Sequence, residues 1–316
     1  GQVAEAHGDN IYPQTSIYRR LICQFDEYAV DIFGVQGGSI HDWFFHGVGD
    51  RPELSIPMQE ETDFDPAAYV VRGESDYRSG QTDETFSATW TIPAEPEAHF
   101  AGRHRDVHSR VTLAGAPAQQ VNVLSTYPNP GQYSLMVRHE ERSDPFMAVH
   151  EAYHETPFVT GVQRLAGSTD AAVRITHADG SRRVVLWGSG STDSGIGLRG
   201  AMGMLEFDPQ DYLRRVLLIR GTELRYGDDR LIGCRQKICV SIEIADNHAH
   251  LVSSPPIAWH TVDGQRILEP GEADRAYLQV PASMSATGAK RGASVHLPGQ
   301  SERGPQAVEV RLQKRP

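Results

Sequence analysis

The stretch SDPFMAVHEAYHETPFVTGVQRL, residues 143–165, decides between two classes of fold. It holds His150, Glu151 and His154 in the HExxH spacing of zinc peptidases, where one helix face presents two histidines to the metal and the glutamate to its bound water. Prolines flank the motif on both sides, and the β-branched run FVTGV follows it, so a helix here would be limited to about three turns. The stretch therefore favours a strand that ends in a polar loop.

Alternation with a period of two extends outward from this stretch along most of the chain, as in TSIYRRLICQF, YAVDIFGV, TFSATWTI, QQVNVLST, YSLMVRH and QKICVSIEI. The turn Ala178-Asp179-Gly180 predicts a tight hairpin. The segment DPQDYLRRVLLI, residues 208–219, is interpreted as a loop followed by a strand, and GSGSTDSGIG, residues 188–197, as a flexible connection. These patterns predict an all-β chain without a helical domain.

The composition of the chain argues against several classes of function, including nucleic-acid binding. The chain has 316 residues, of which 39% are hydrophobic, so it can bury a substantial core. Its 30 Lys and Arg face 41 Asp and Glu, giving a net charge of -11, which argues against a nucleic-acid partner. No apolar run approaches the roughly 20 residues of a membrane span. Its 3 cysteines are too few for a disulfide framework, so reduced structural thiols are expected.

One histidine group has the spacing of a metal site. His104, Asp106 and His108 alternate in RHRDVH, so on a strand all three side chains would lie on one face and could chelate a structural zinc or calcium ion. The alternative is a solvated loop, which the neighbouring glycine and arginines favour. No cofactor is otherwise required by the sequence.

A longer pattern resembles a known family. RRLICQFDEYAVDIFGVQGGSIHDWFFHG, residues 19–47, resembles a stretch in the β-sheet half of heparinase II/III-like polysaccharide lyases, with an Arg-led strand, a Val-Asp-Ile-Phe strand, Gly-Gly, His-Asp-aromatic and His-Gly. PGQYSLMVRHEERSDPFMAVHEAYHETPFVTGVQRL, residues 130–165, and VRITHADGSRRVVLWGSG, residues 173–190, are similar to later strands of that family. On this resemblance the HEAYHE segment is the end of a strand.

The resemblance implies a large antiparallel multi-sheet β-sandwich over residues 1–225 and a smaller C-terminal β-domain or extension over residues 226–316. It also implies β-elimination on a uronic-acid polysaccharide, in which a proton acceptor removes the C5 proton and a cation or metal neutralises the carboxylate. Bacterial lyases of this kind are periplasmic or secreted, and we expect the same location here.

The chain departs from the family in its catalytic residues. The lyases take an Asn, a His and a Tyr from an N-terminal α/α toroid and another His from a His-x-His-x-Asp motif, and neither element is present here. No catalytic residue is therefore assigned, and those residues would lie mostly in a helical toroid domain or separate chain of the same enzyme. His41, Trp43 and His46 are the candidate substrate-binding residues, with buried sandwich packing as the alternative.

Three hypotheses for the function follow in order of preference. The first is the β-sheet portion of a polysaccharide lyase, which would not be catalytic alone. The second is a non-catalytic β-sandwich that binds carbohydrate or a protein partner through exposed aromatic rings. The third is a zinc metallopeptidase that uses HEAYH.

Overall fold

A computed structural model of the chain describes residues 1–8, 11–48, 51–60, 77–95, 104–125, 132–141, 143–245, 248–254, 257–262, 265–270, 275–279 and 308–310. These residues form strands and turns and include no helix, which confirms the predicted all-β class with several antiparallel sheets. Accordingly, no helix in the described residues is long and apolar enough to cross a bilayer.

The chain divides into two compact units, Gly1–Arg164 and Leu165–Pro316. The domain boundary that was expected after residue 225 therefore lies inside the second of these units. There Tyr226 and Asp229 pair across a tight turn between two long strands of one sheet. The HEAYHE segment lies in the first unit.

The first unit contains the strands that position the candidate site. Their bounds are β1 (Gln2–Gly8), β2 (Ile17–Gln24), β3 (Tyr28–Gln36), β4 (Ile40–His46), β5 (Glu53–Leu54), β6 (Gln59–Glu60), β7 (Tyr77–Thr82), β8 (Phe86–Ile92), β9 (Val107–Leu113), β10 (Gln119–Ser125), β11 (Tyr133–Glu140), β12 (Phe146–Tyr153) and β13 (Val159–Arg164).

Two antiparallel sheets of this unit pack face to face as a sandwich. The first sheet has the order β1-β2-β3-β12-β9-β8-β5, and the second has the order β4-β11-β10-β7-β6. Their facing side chains form one apolar core, which includes Phe33, Trp43, Trp90, Leu135 and Phe146. Because side chains alternate along a strand, the residues that face this core lie two apart on each strand.

The turn between β3 and β4 sets the register of β4, the edge strand of the second sheet. Gly37 and Gly38 have φ of +85° and +77°, which glycine adopts without the strain of a side chain. A Cβ at Gly37 would lie 2.1 Å from the carbonyl oxygen of Gln14, so the turn also needs a small residue. This turn directs His41, Trp43 and Phe45 to one face of β4.

The second unit is built on β14 (Ala171–His177), β15 (Arg182–Trp187), β16 (Gly190–Ser191), β17 (Ile196–Arg199), β18 (Met202–Phe207), β19 (Leu213–Tyr226), β20 (Asp229–Ala245), β21 (His248–Ser254), β22 (Ile257–Val262), β23 (Gln265–Pro270), β24 (Arg275–Gln279) and β25 (Val308–Val310). In one antiparallel sheet β14, β15, β18, β19 and β20 are successive neighbours. Its core includes Leu186, Leu205, Val216, Leu218 and Ile242.

Local sequence explains the turns of this unit, with one correction. The hairpin at Ala178-Asp179-Gly180 joins β14 to β15 as predicted, with Gly180 at φ +84°. Residues 208–219 form a loop and the start of β19, also as predicted. The flexible connection expected at residues 188–197 is instead the small hairpin of β16 and β17, closed by the hydrogen bond from the Gly195 N–H to the Thr192 carbonyl at 3.0 Å.

Candidate functional site

A buried carboxylate organises the end of the sandwich where β2, β3 and β4 meet. Asp31 is only 2% exposed. Arg20 grips it in bidentate fashion, with Nε donating to Oδ1 at 2.8 Å and Nη2 donating to Oδ2 at 2.6 Å. From the opposite sheet, the indole Nε1 of Trp43 donates to Oδ2 at 3.3 Å. This carboxylate therefore links both sheets of the sandwich.

Strand register explains why these residues meet. Asp31 lies opposite Ile22 on β2 and Ala148 on β12, and all three project toward the space between the sheets. Alanine leaves room that the Trp43 ring enters from β4. Two residues beyond Ala148, His150 projects into the same space and contacts the rings of Trp43 and Phe45, with centroids 5.9 and 5.1 Å away.

The partners of Asp31 keep it ionised. Burial by itself would raise the pKa of the Asp31 carboxyl, but His150 and the Arg20 guanidinium lower it further than burial raises it, so the pKa lies below its ordinary value. His150 Nε2 is 3.6 Å from Asp31 Oδ2, an ion-pair distance when the ring is protonated. The cluster of Arg20, Asp31, Trp43 and His150 is hereafter the Asp31 cluster.

A cavity of about 370 Å³ opens beside this cluster, between the edge strands of the two sheets. Its residues include His7, Tyr18, Arg20, Asp42, Trp43 and Phe44. The Arg20 side chain is 47% exposed, so its guanidinium joins the buried carboxylate to the cavity wall. The rings of Tyr18, Phe33 and Trp43 lie on the inner face of their sheets beside this cavity. Such rings and one accessible cation in a single concave site are suited to bind a ring-shaped ligand that carries an acidic group.

The three predicted substrate-binding residues occupy different surroundings. Trp43 lines the cavity, although only 3% of it is exposed. His41 is buried, and its Nε2 is 2.7 Å from the Gly37 carbonyl oxygen in the turn before β4. His46 is exposed, and its Nδ1 is 2.7 Å from the Ser134 hydroxyl. The structure therefore places one of the three in the cavity wall and the other two apart from it.

The three residues proposed for a metal site lie at the start of β9 and before it. The Asp106 Oδ1 accepts a hydrogen bond from the Ala94 N–H at 2.8 Å, while His108 Nδ1 is 3.1 Å from the Thr91 hydroxyl. His104 lies in the bend that precedes β9. Among the described residues, no three His, Cys, Asp or Glu side chains are grouped closely enough to hold a metal ion.

The HExxH letters occupy β12 and the loop after it, as the strand interpretation predicted. His150 and Glu151 project to opposite faces of the first sheet. Glu151 is buried, where it pairs with Arg110 and accepts hydrogen bonds from the N–H groups of Phe158 and Val159 at 2.9 and 3.1 Å. The Nδ1 of His154 is 2.9 Å from the backbone carbonyl oxygen of Asp106. The geometry of a zinc-peptidase helix is absent from this stretch.

Arg20 and Asp31 are site residues that sequence reasoning did not select, and it considered His150 only as a zinc ligand of HExxH. The signal for Asp31 was its place in the apolar run YAVDIFGV, because a charged residue in a buried strand needs a partner. The partners themselves are not marked by any local pattern. They come from β2 and β12, which reach Asp31 only through the order of strands in the sheet.

No protein-family model and no curated protein matches the chain.

Proposed function

We propose that the chain is the β-sandwich portion of a polysaccharide lyase and that its cavity beside Arg20 and Trp43 holds part of a uronic-acid polysaccharide. One observation carries this proposal. The cavity combines the accessible guanidinium of Arg20 with the rings of Tyr18, Phe33 and Trp43. Guanidinium groups pair with carboxylates in a fork geometry, and aromatic faces pack against the apolar faces of sugar rings.

Asp31 prepares Arg20 for this role. The bidentate pair fixes the guanidinium plane before any ligand arrives, so less side-chain entropy is lost when a sugar carboxylate binds. The cost of this arrangement is that Asp31 already offsets part of the positive charge. We therefore expect Arg20 to set the orientation of a sugar acid, with the aromatic walls supplying much of the affinity.

Tyr18 is better suited to contact a sugar ring than to accept a proton. Burial, then the neighbouring Tyr12, raise the pKa of the Tyr18 hydroxyl, and together they outweigh the opposing effect of Arg20. A raised pKa keeps the phenolate scarce at neutral pH, which makes Tyr18 a weak proton acceptor. This agrees with a chain whose catalytic groups are supplied by a helical toroid domain or a separate helical chain. By the same resemblance, we propose that the protein is secreted or exported to the periplasm.

The same observation favours a second candidate. A β-sandwich that binds carbohydrate without cleaving it needs aromatic walls and an orienting cation but no proton acceptor. The cavity supplies the first two through Trp43 and Arg20. The two candidates differ in whether a helical partner turns binding into cleavage.

Calorimetry with uronate oligosaccharides and ultraviolet absorbance of the unsaturated uronate product test the proposal together. We expect the chain alone to bind oligouronates and to release no product, and we expect a cognate helical domain to restore cleavage. Product from the chain alone would show that a complete lyase site lies within it. The absence of oligouronate binding would overturn both candidates.

Arg20→Gln is the informative variant, with Arg19→Gln as its matched control. Arg19 is the next residue on β2, faces the other way and pairs with Glu5 at 2.8 Å. Loss of a charge-assisted contact predicts about tenfold weaker oligouronate binding for Arg20→Gln, while Arg19→Gln keeps the wild-type affinity. Arg20→Lys retains the charge without the fork, so it should bind with intermediate affinity if Arg20 touches the sugar acid.

A further inference from the structure

A second, smaller cavity lies on the opposite face of the first sheet and has a different chemical character. Its volume is about 150 Å³, and β8 and β9 form its floor while β13 forms one wall. Hydroxyl side chains dominate its polar lining: Ser55, Thr85, Ser87, Thr112 and Thr160, together with Arg110. One of these five hydroxyls, that of Thr85, already donates to the Val162 carbonyl oxygen at 3.0 Å.

Several of these hydroxyls can still donate hydrogen bonds to a ligand. Ser87 and Thr112 are directly opposed across β8 and β9, so their side chains lie next to each other. Within the described part of the chain neither hydroxyl has a hydrogen-bond partner. The Ser55 oxygen accepts from the Ser87 N–H at 2.8 Å, which leaves the Ser55 hydroxyl proton available.

The charge at this cavity is balanced. The Arg110 guanidinium pairs with Glu151 and also donates to the Val159 carbonyl oxygen, so it is held in place from two sides. Its side chain is 17% exposed and that of Glu151 is 2% exposed. The Arg110 guanidinium is largely enclosed by these partners, so it is less accessible to an anion than the half-exposed guanidinium of Arg20. The lining therefore favours an uncharged ligand with many hydroxyl groups.

Size and apolar lining narrow the ligand further. A cavity of about 150 Å³ in another protein holds one benzene molecule, and a hexose has about twice as many heavy atoms. This open cavity therefore takes at most one sugar ring, with part of that ring in solvent. Val159 and Val162 supply the apolar side chains beside the hydroxyls, whereas the Phe86 ring projects into the core on the other face of β8. Sugar rings combine an apolar C–H face with a rim of hydroxyl groups. We propose that this cavity binds a single uncharged hexopyranose unit, a role separate from the oligouronate cavity and independent of the proposed function.

Nuclear magnetic resonance can test this proposal residue by residue. The ¹⁵N-labelled chain is titrated with methyl glucoside, methyl galactoside and methyl mannoside, and in a parallel titration with glucuronate. We expect at least one neutral glycoside to shift the amide signals of Ser87, Thr112 and Gly161 while those of Arg20 and Trp43 stay in place. Shifts confined to Arg20 and Trp43, no shifts with any neutral glycoside, or tighter binding of glucuronate at Ser87 would each overturn the proposal.

Thr112→Val is the test variant, and Thr89→Val is its matched control. Valine has nearly the same shape as threonine and is favoured in strands, so both variants should keep the fold. Thr89 lies on the same face of the sheet opposite Arg110, but it does not line the cavity. Loss of one hydroxyl contact should weaken glycoside binding about tenfold in Thr112→Val and leave Thr89→Val unchanged. Equal affinities of the two variants would contradict the assignment.

Discussion

Asp31 and Glu151 are two buried carboxylates of the same sheet, each paired with an arginine, yet they face opposite sides and have different kinds of partner. Asp31 projects between the sheets, where Arg20 on β2 and Trp43 on β4 reach it. Glu151 projects outward, where Arg110 and two backbone N–H groups hold it. Asp31 thus joins the two sheets through side chains, while Glu151 holds the backbone of the loop that leads into β13.

The arginines differ as well, and this difference separates the two sites. The side chain of Arg20 is 47% exposed and lines the larger cavity, whereas that of Arg110 is 17% exposed and is enclosed by its partners. A half-exposed cation can be rehydrated when its partner is lost, but an enclosed one cannot. Under the proposed function, we therefore expect the Arg20 pair to orient a ligand and the Arg110 pair to stabilise the fold.

Glu151→Ala should have the largest effect. The substitution leaves the enclosed Arg110 without its carboxylate and removes the acceptor of the Phe158 and Val159 N–H groups. Removal of one partner of a buried ion pair predicts a loss of about 4 kcal/mol in the free energy of unfolding. Urea unfolding followed by tryptophan fluorescence measures it.

Glu155→Ala is the matched control for that measurement. Glu155 lies in the loop after β12 and pairs with Arg105 at 3.3 Å, but both side chains are at least 70% exposed. An exposed pair contributes little, so we expect a change below about 0.5 kcal/mol. Similar losses for Glu151→Ala and Glu155→Ala would contradict the rigid role assigned to Glu151.

His177 is a buried titratable group of the second unit, and its ring contacts the Ser181 hydroxyl, whereas Asp31 and Glu151 each pair with an arginine. Burial first, and then the charge of Arg183, lower the pKa of His177 from 6.5 to about 4. Protonation is thus easier in the unfolded chain, so stability is fully present above pH 6.5 and declines as the pH falls toward 4. The shift corresponds to a loss of roughly 3 kcal/mol across this interval.

His177→Gln should remove that dependence on pH. In the wild type, the His177 Nδ1 is 2.7 Å from the Ser181 hydroxyl. The glutamine amide can make the same hydrogen bond, but it has no group that is protonated between pH 7 and 4. Unfolding by urea at a series of pH values between 7 and 4 compares the two proteins. A parallel decline in the variant and the wild type would show that another group controls this pH range.

Sequence patterns predicted the local features well and the long-range ones poorly. Alternation identified the strand at HEAYHE, and the hairpin at Asp179-Gly180 followed from turn chemistry. The hairpin at residues 188–197 was missed because glycine and serine suit a flexible linker as well as a tight turn. Trp43 was selected from its motif, while Arg20 and His150 were not, since their meeting with Asp31 depends on strand order.

Asp31→Asn should have the smallest of the three effects. The amide keeps the shape of the carboxylate but loses the charge that pairs with Arg20, and the half-exposed guanidinium can turn to water. We expect a loss of about 2 kcal/mol at neutral pH. Asp42→Asn on β4 is the matched control, because Asp42 forms a similar bidentate pair with Arg138 at 2.8 and 2.9 Å but its side chain is 24% exposed. Its loss should stay below about 1 kcal/mol.

The pH dependence of Asp31→Asn distinguishes the lost charge from disturbed packing. The pKa of Asp31 is below its ordinary value of 3.8, so its carboxylate contributes stability above pH 3.8 that is lost as the pH falls through the lowered pKa. The stability curves of Asp31→Asn and the wild type should therefore converge in acid. A constant gap between the curves down to pH 2 would mean that the loss comes from the amide N–H groups, which face the donors of Arg20 and Trp43, and not from the charge of Asp31.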